Sequence, residues 1–153
     1  MGLFGAVRDS EITDLTVSPG HVITAGETAG ILAGSVQDSV IRNVAVAGAL
    51  KTAGNTGGVA GEIEDTVVEN CTADHVAMDL GKGKETFAGG ITGKAAGSVI
   101  SDCTVNTGDS LNARIQGGGY VGGITGFQND TDIFNAHVMG LSLIHISEPT
   151  RHL

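Results

Sequence analysis

Gly89-Gly90-Ile91-Thr92-Gly93 is one copy of a glycine block that recurs along this 153-residue chain and sets its repeat. The block occurs five times, with a shortened first copy, and its closing glycines are Gly5, Gly34, Gly61, Gly93 and Gly126. Consecutive copies therefore lie 27 to 33 residues apart, a period typical of structural units that stack on one another. The spacing predicts an array of similar units rather than a domain built around one pocket.

Other residue types recur at constant distances behind each closing glycine. The turn pair is Asp9-Ser10, Asp38-Ser39, Asp65-Thr66, Gly97-Ser98 and Asp130-Thr131. An aliphatic column follows, with Ile12, Ile41, Val68, Ile100 and Ile133, and then an Asn or Asp column, with Asp14, Asn43, Asn70, Asp102 and Asn135. Two more small or apolar columns close the unit: Leu15, Val44, Cys71, Cys103 and Ala136, then Val17, Val46, Ala73, Val105 and Val138.

The apolar columns break the two-residue alternation of a single strand at the Asn or Asp position. We therefore predict a bend there, because Asn and Asp tolerate unusual backbone angles and bond local amides. A helical array is disfavoured by the abundance of glycine and β-branched residues. Strands stacked in parallel at about 4.8 Å per coil would pair their backbone groups with neighbouring coils and bury the aliphatic columns.

The predicted fold is all-β, a parallel β-helix of about five coils that spans residues 1–140. We expect it to be right-handed, because crossover connections between parallel strands almost always are.

The stretches between repeats vary most at 74–87 and 106–120. Since insertions in solenoids collect on one face, these two stretches are where we expect any ligand to bind. Residues 75–80 are predicted to form an extra strand before a loop at 81–85.

Composition excludes several functions. The chain has 25 glycines, no tryptophan and a formal net charge of −9, and its eight Lys and Arg residues are scattered. Without a basic stripe or an aromatic platform in the sequence pattern, nucleic-acid binding is not expected. No apolar run reaches membrane-spanning length, and the first residues lack the features of a signal peptide. An export signal would therefore lie outside this chain.

The segment 141–153 shares none of the repeat columns. Residues 141–151 resemble the translated transposon-end adaptor used in sequencing libraries, and we predict that this tail is not native. The genuine protein is then expected to continue beyond residue 140, with further coils at both ends. Solenoid ends without capping repeats expose unpaired strand edges, so we also expect this chain to self-associate.

Two copies of the repeat carry a family resemblance. The block Gly57-Gly58-Val59-Ala60-Gly61 with Val68-Glu69-Asn70-Cys71, and the block Gly89-Gly90-Ile91-Thr92-Gly93 with Ile100-Ser101-Asp102-Cys103, resemble the bacterial GLUG repeat. The opening residues 2–17 are similar to the entry repeat of such arrays. The resemblance covers residues 1–140 and implies a secreted or wall-attached bacterial protein.

Within that family, the resemblance implies either an adhesin-like structural and binding module or the non-catalytic N-terminal region of an immunoglobulin A-cleaving zinc metalloprotease. A host protein, surface protein or glycan would be the partner. The His-Glu-x-x-His signature of such proteases is missing, since His21, His75, His137, His145 and His152 are isolated. We assign no catalytic, cofactor-binding or metal residue, and predict that this fragment is not an enzyme.

Cys71 and Cys103 share one column, one coil apart. Because Leu15, Val44 and Ala136 occupy the same column, we interpret both cysteines as small apolar residues of the core. The alternative is a disulfide between adjacent coils, which is within Cα reach but demands favourable Cβ geometry.

Three other patterns have a chemical alternative. The column Asp9, Asp38, Asp65 and Asp130 could supply oxygen ligands to calcium, although capped turns explain it more simply. Glu62 and Glu64 point the same way beside Lys94, as a glycan-acting β-helix enzyme would require, whereas a solvated face with one cross-coil ion pair is the simpler interpretation. Gly93-Lys94-Ala95 falls short of a phosphate-binding loop, because no Ser or Thr follows the lysine.

Overall fold

The computed structural model describes residues 1–80, 86–106, 115–117, 119–139 and 143–145. Over these residues the chain is all-β, without a helix, and forms a parallel β-solenoid of about four turns. The predicted fold class is therefore confirmed. One of its sheets contains five strands, one from each of five successive coils, and the path from the first of these strands to the last makes about four turns. The described residues also hold no helix that could span a membrane.

The described strands follow one another coil by coil. The first two coils comprise β1 (Phe4–Arg8), β2 (Glu11–Val17), β3 (Ile23–Ala25), β4 (Ala29–Gly30), β5 (Ala33–Gln37) and β6 (Val40–Thr52). The third and fourth comprise β7 (Thr56–Gly57), β8 (Ala60–Glu64), β9 (Val67–Glu69), β10 (Thr72–Asp79), β11 (Phe87–Gly89), β12 (Thr92–Ala96), β13 (Val99–Ser101), β14 (Thr104–Asn106) and β15 (Ile115–Gly117). The last comprises β16 (Tyr120–Gly122), β17 (Thr125–Asn129), β18 (Asp132–Phe134), β19 (His137–Met139) and β20 (Leu143–His145).

Three parallel sheets form the walls of the solenoid. Sheet A has the order β1-β5-β8-β12-β17, and sheet C has the order β4-β7-β11-β16. Sheet B contains the other described strands, with β18-β13-β9-β6-β10-β14-β19 as its main path. Each strand pairs with the equivalent strand one coil away; Ile41, for example, lies between Ile12 and Val68. The repeat columns of the sequence are therefore the ladders of the structure.

At the glycine block the chain leaves sheet C and enters sheet A. An added Cβ at Gly93 would lie 2.5 Å from the carbonyl oxygen of Phe87 and 2.7 Å from the amide nitrogen of Thr56, both backbone atoms. Only glycine permits this close approach of the two sheets. The aliphatic residue within the block points inward at the bend, and Leu32, Val59 and Ile91 are completely buried.

Both predicted turns adopt the left-handed backbone region. Asp9, Asp38, Asp65 and Asp130 have φ of 48° to 49°, and Gly97 has 57°. The Asn or Asp column has φ of 52° to 56° in all five copies. This confirms the predicted bend, since Asn, Asp and Gly pay the smallest penalty for positive φ.

Polar side chains at these turns bond between coils. The amide of Ser10 donates to Ser39 Oγ at 3.1 Å, the amide of Ser39 to Thr66 Oγ1 at 3.4 Å, and the amide of Thr66 to Ser98 Oγ at 3.1 Å. Each hydroxyl also donates to a carbonyl two residues earlier, as Thr66 does to Glu64 at 2.8 Å. We refer to Ser10, Ser39, Thr66, Ser98 and Thr131 as the hydroxyl ladder. It pairs backbone groups at the corner, where the strands are interrupted.

The interior is filled by the aliphatic columns. Ile41, Val68 and Ile100 are completely buried, whereas Ile12 and Ile133 of the outer coils are only partly covered.

The extra strand predicted for 75–80 is present as the second half of β10, which turns at His75 with φ of 51°. The predicted loop at 81–85 lies outside the described residues. Strand β20 falls in the segment predicted to be non-native and pairs in parallel with β15.

Candidate binding surface

The outer face of sheet A carries polar side chains in columns that run along the solenoid. Alternation along each strand points Val36, Ile63 and Ala95 into the core and their neighbours outward. The two outward columns are Ala6, Ser35, Glu62, Lys94 and Phe127, and Arg8, Gln37, Glu64, Ala96 and Asn129. A groove of about 320 Å³ lies over this face, lined by Arg8, Gln37, Glu62, Glu64 and Lys94 among others.

Glu62 and Glu64 lie on this face beside Lys94, as the sequence predicts. Glu62 and Lys94 are directly paired positions of adjacent strands. The expected ion pair between them is not formed among the described residues. Instead, Asn55 Nδ2 donates a hydrogen bond to Glu62 Oε1 at 2.6 Å. The prediction of an ion pair was wrong, because Asn55, which lies just before β7, supplies a hydrogen-bond partner for the carboxylate instead.

The same asparagine also reaches the next coil. Its Oδ1 accepts a hydrogen bond from the backbone amide of Phe87 at 3.0 Å. Asn55 therefore uses both ends of its amide, one for Glu62 and one for the strand that carries Phe87. This arrangement orients the Glu62 carboxylate and places Phe87 next to the polar groove.

Three aromatic rings cluster at the end of this face. The ring of Phe87 stacks on Tyr120 with centroids 5.3 Å apart and lies 5.1 Å from the ring of Phe127. Tyr120 is 60% exposed and Phe127 is 42% exposed, so two of the rings face solvent. Lys94 adjoins them, because it is the paired position of Phe127 on the neighbouring strand.

We call the set Asn55, Glu62, Phe87, Lys94, Tyr120 and Phe127 the aromatic–polar surface. Its aromatic members were not predicted from the sequence. Two features of the repeat could have identified them. Phe87 and Tyr120 occupy the same column as Thr28 and Asn55, and Phe127 follows its closing glycine as Lys94 follows Gly93. Phe87 and Tyr120 are also the last residues of the two stretches at 74–87 and 106–120 where a ligand was expected.

The two cysteines occupy the core. Cys71 and Cys103 are free thiols with 1% and 0% of their surface exposed, in agreement with the interpretation as core residues. Cys103 Sγ lies 3.2 Å from the carbonyl oxygen of Ser101, and Cys71 Sγ lies 3.3 Å from that of Glu69. Contact with the sulfur of Cys71, together with burial, raises the pKa of the Cys103 thiol well above its usual range. Neither thiol faces the aromatic–polar surface.

The remaining candidates are spread over the solenoid. The Asp column lies at the corner between sheets A and B, where each Asp precedes a member of the hydroxyl ladder. His75 Nδ1 lies 3.0 Å from Asp74 Oδ1, and both side chains are exposed. Over the described residues no three His, Cys, Asp or Glu side chains converge as metal ligands would. Lys94 contributes to the groove rather than to a loop before a helix.

The described cross-coil ion pairs lie on sheet B. Arg42 Nε is 2.9 Å from Glu69 Oε2, and Arg42 Nη1 is 3.3 Å from Glu11 Oε1. One guanidinium thus bridges carboxylates of the coils on either side. Since all three groups are exposed, each pair contributes about 0–1 kcal/mol.

Comparisons of this chain with protein-family models, with curated proteins and with solved structures gave no match.

Proposed function

We propose that this chain is a non-catalytic structural and binding module of a secreted or wall-attached bacterial surface protein, of the adhesin type. The observation that carries the proposal is the aromatic–polar surface, an exposed aromatic cluster at the end of a polar groove on a regular solenoid wall. Exposed apolar patches bordered by polar residues are typical of binding sites.

The ladders support a structural role. In each turn the backbone bonds to adjacent coils, and the Ser, Thr and Asn side chains at the corners bond in the same direction. Each coil is therefore held mainly by its neighbours, as in other one-dimensional repeat proteins. A module of this kind can extend by adding coils without changing its cross-section. It suits a protein that holds a binding surface away from a cell.

The polar chemistry of the groove supports binding rather than turnover. Glu62 is engaged by Asn55, and the remaining groove side chains include both signs of charge, with Arg8 and Lys94 beside Glu62 and Glu64. Such a surface offers donors and acceptors to a polar ligand. The similarity of the Gly-Gly-Val-Ala-Gly and Val-Glu-Asn-Cys blocks to GLUG repeats supports the surface location.

Two experiments test this proposal. The purified chain is incubated with a panel of polysaccharides and with immunoglobulin A, and the products are followed by chromatography and mass spectrometry. We expect every substrate to remain intact. Cleavage that disappears in the double variant Glu62→Gln, Glu64→Gln would overturn the non-catalytic assignment.

The second experiment is to sequence the parent gene on both sides of this chain. An export signal together with further repeats or a wall-sorting signal is expected. Flanking domains of a cytoplasmic enzyme would contradict the surface assignment, and a His-Glu-x-x-His motif downstream would favour the protease-associated alternative.

A further inference from the structure

The chain contains only five aromatic residues, four Phe and one Tyr. Three of them, from three different strands, meet in the aromatic–polar surface. Core packing does not require this cluster, because Tyr120 and Phe127 are exposed and the core formed by the described residues contains no aromatic side chain. Holding two aromatic rings in water is unfavourable unless something covers them.

The surroundings of the rings indicate the chemistry of the ligand. Asn55, Glu62 and Lys94 lie in the adjoining positions of the same two columns and supply donors and acceptors beside an apolar face. A pyranose ring has the matching character, with an apolar face of C–H groups and a rim of hydroxyls. The slightly positive C–H hydrogens are attracted to the negative face of an aromatic ring.

The charge balance argues for a neutral ligand. Along the groove, Arg8 and Lys94 are matched by Glu62 and Glu64, while the whole chain carries a formal charge of −9. A polyanion such as a nucleic acid would be repelled overall and would find only these two cations in the groove. A neutral saccharide has no such penalty.

The spacing of the groove suits an extended chain of sugars. Equivalent side chains of adjacent coils repeat at about 4.8 Å, which is close to the advance of one β-linked pyranose unit. The column Ser35, Glu62 and Lys94 therefore presents one polar side chain for each successive sugar, and the column ends at Phe127.

We propose that the aromatic–polar surface and the adjoining groove bind a neutral, β-linked oligosaccharide, with one pyranose ring stacked on Tyr120 or Phe127 and the next units hydrogen-bonded to Lys94 and Glu62. This inference rests on the proposed binding function and specifies its ligand class.

Tyr120 makes the test direct. It is the single tyrosine, and the chain has no tryptophan, so intrinsic tyrosine fluorescence reports on the aromatic–polar surface alone. The full chain is titrated with cellohexaose and with hexa-N-acetyl-chitohexaose, and calorimetry measures the affinity independently. We expect at least one of the two oligosaccharides to shift the tyrosine signal and saturate.

Variants separate the site from general effects. Phe127→Ala is expected to weaken binding at least tenfold. The matched control is Phe134→Ala, which removes an aromatic residue of similar exposure, 52%, from sheet B, and should leave the affinity unchanged. Circular dichroism melting shows whether each variant remains folded.

Three results would overturn the inference: no binding of either oligosaccharide, equal weakening by both variants, or competition of binding by single-stranded nucleic acid at equal affinity. The same samples are checked for cleavage of the oligosaccharide. Cleavage would contradict the non-catalytic proposed function, whereas intact but unbound sugar contradicts only the saccharide assignment.

Discussion

Asn70 donates its side-chain amide to Asn43 Oδ1 one coil below, at 2.6 Å, and Asn43 donates in turn to Asp14 Oδ1 at 3.1 Å. All three residues have positive φ. One column of the sequence thus bends the chain in each coil and links these coils at the bend. The two effects can be separated by mutation.

Replacing Asn43 tests the bend. In Asn43→Ala the left-handed backbone conformation costs about 1–2 kcal/mol, and the side-chain hydrogen bonds to Asp14 and Asn70 are both lost. In Asn43→Gly the same two hydrogen bonds are lost, but glycine adopts positive φ without that steric cost. We expect the free energy of unfolding, measured by urea denaturation, to fall further in Asn43→Ala. A larger loss in Asn43→Gly would show that positive φ is not the main cost.

Replacing Thr66 tests the hydroxyl ladder. Thr66→Val keeps the shape of the side chain but removes the acceptor for the Ser39 amide and the donor to the Glu64 carbonyl. Because Thr66 is 1% exposed, we expect a loss of about 1–3 kcal/mol for the unpaired backbone groups. Thr131→Val is the matched control at the more accessible end of the ladder, where water can replace the hydroxyl, and its effect should be smaller. Equal losses would contradict a role for burial.

Replacing Gly93 tests the close approach of sheets A and C. An added methyl group would overlap backbone atoms on both sides, so we expect Gly93→Ala to cost about 3 kcal/mol, at the upper end of the usual overpacking range. Gly5 occupies the same column of the repeat, yet an added Cβ there meets nothing within 4 Å. Gly5→Ala should therefore be nearly neutral in thermal and urea unfolding. Similar effects at the two positions would show that the glycine block is not retained for space.

The buried thiol of Cys103 predicts a pH dependence of stability. Its folded pKa is raised above the ordinary value of 9.0 by the sulfur of Cys71 and by burial. Above that pH the unfolded state loses a proton that the folded state keeps, so stability decreases as pH rises. We expect the contribution of this thiol to the unfolding free energy to be constant below about pH 8 and to decline above about pH 9. In Cys103→Ala, which copies Ala136 of the same column, the decline should be reduced; an unchanged slope would assign it to other groups.

The end of sheet A predicts self-association. Over the described residues, β1 pairs with β5 on one side only, and Leu3 beside it is 55% exposed. An unpaired edge with apolar side chains is a template for another chain. Sedimentation velocity should show a weight-average mass that rises with concentration, and Leu3→Lys should reduce the increase. A monomer at all concentrations would contradict this expectation.

Much of the fold is determined by the sequence, because the repeat relates position to environment directly. Ile41, Val68 and Ile100 recur at one offset and share one buried ladder. The Asn and Asp columns mark the turns, since few other residues adopt positive φ at low cost. Parallel pairing follows, because equivalent residues of successive coils must lie side by side to bury the same columns.

The candidate site was only partly predictable. The outward position of Glu62, Glu64 and Lys94 follows from strand alternation, and so does their proximity. Their hydrogen bonds do not, because Asn55, which lies outside the strands just before β7, bonds to Glu62 in place of Lys94. No rule of spacing within one repeat indicates how closely two sheets approach at a corner.

The order of amino acids alone specifies a stacked array of parallel strands, its inward columns and its turns, because these depend on side-chain type at a fixed period. The shared surface of Phe87, Tyr120 and Phe127, in contrast, arises only when the chain folds. They lie in two different columns and two different sheets, and the glycine block brings those sheets within backbone contact. That contact is a three-dimensional consequence of the missing Cβ atoms, and it places the aromatic rings beside the polar groove.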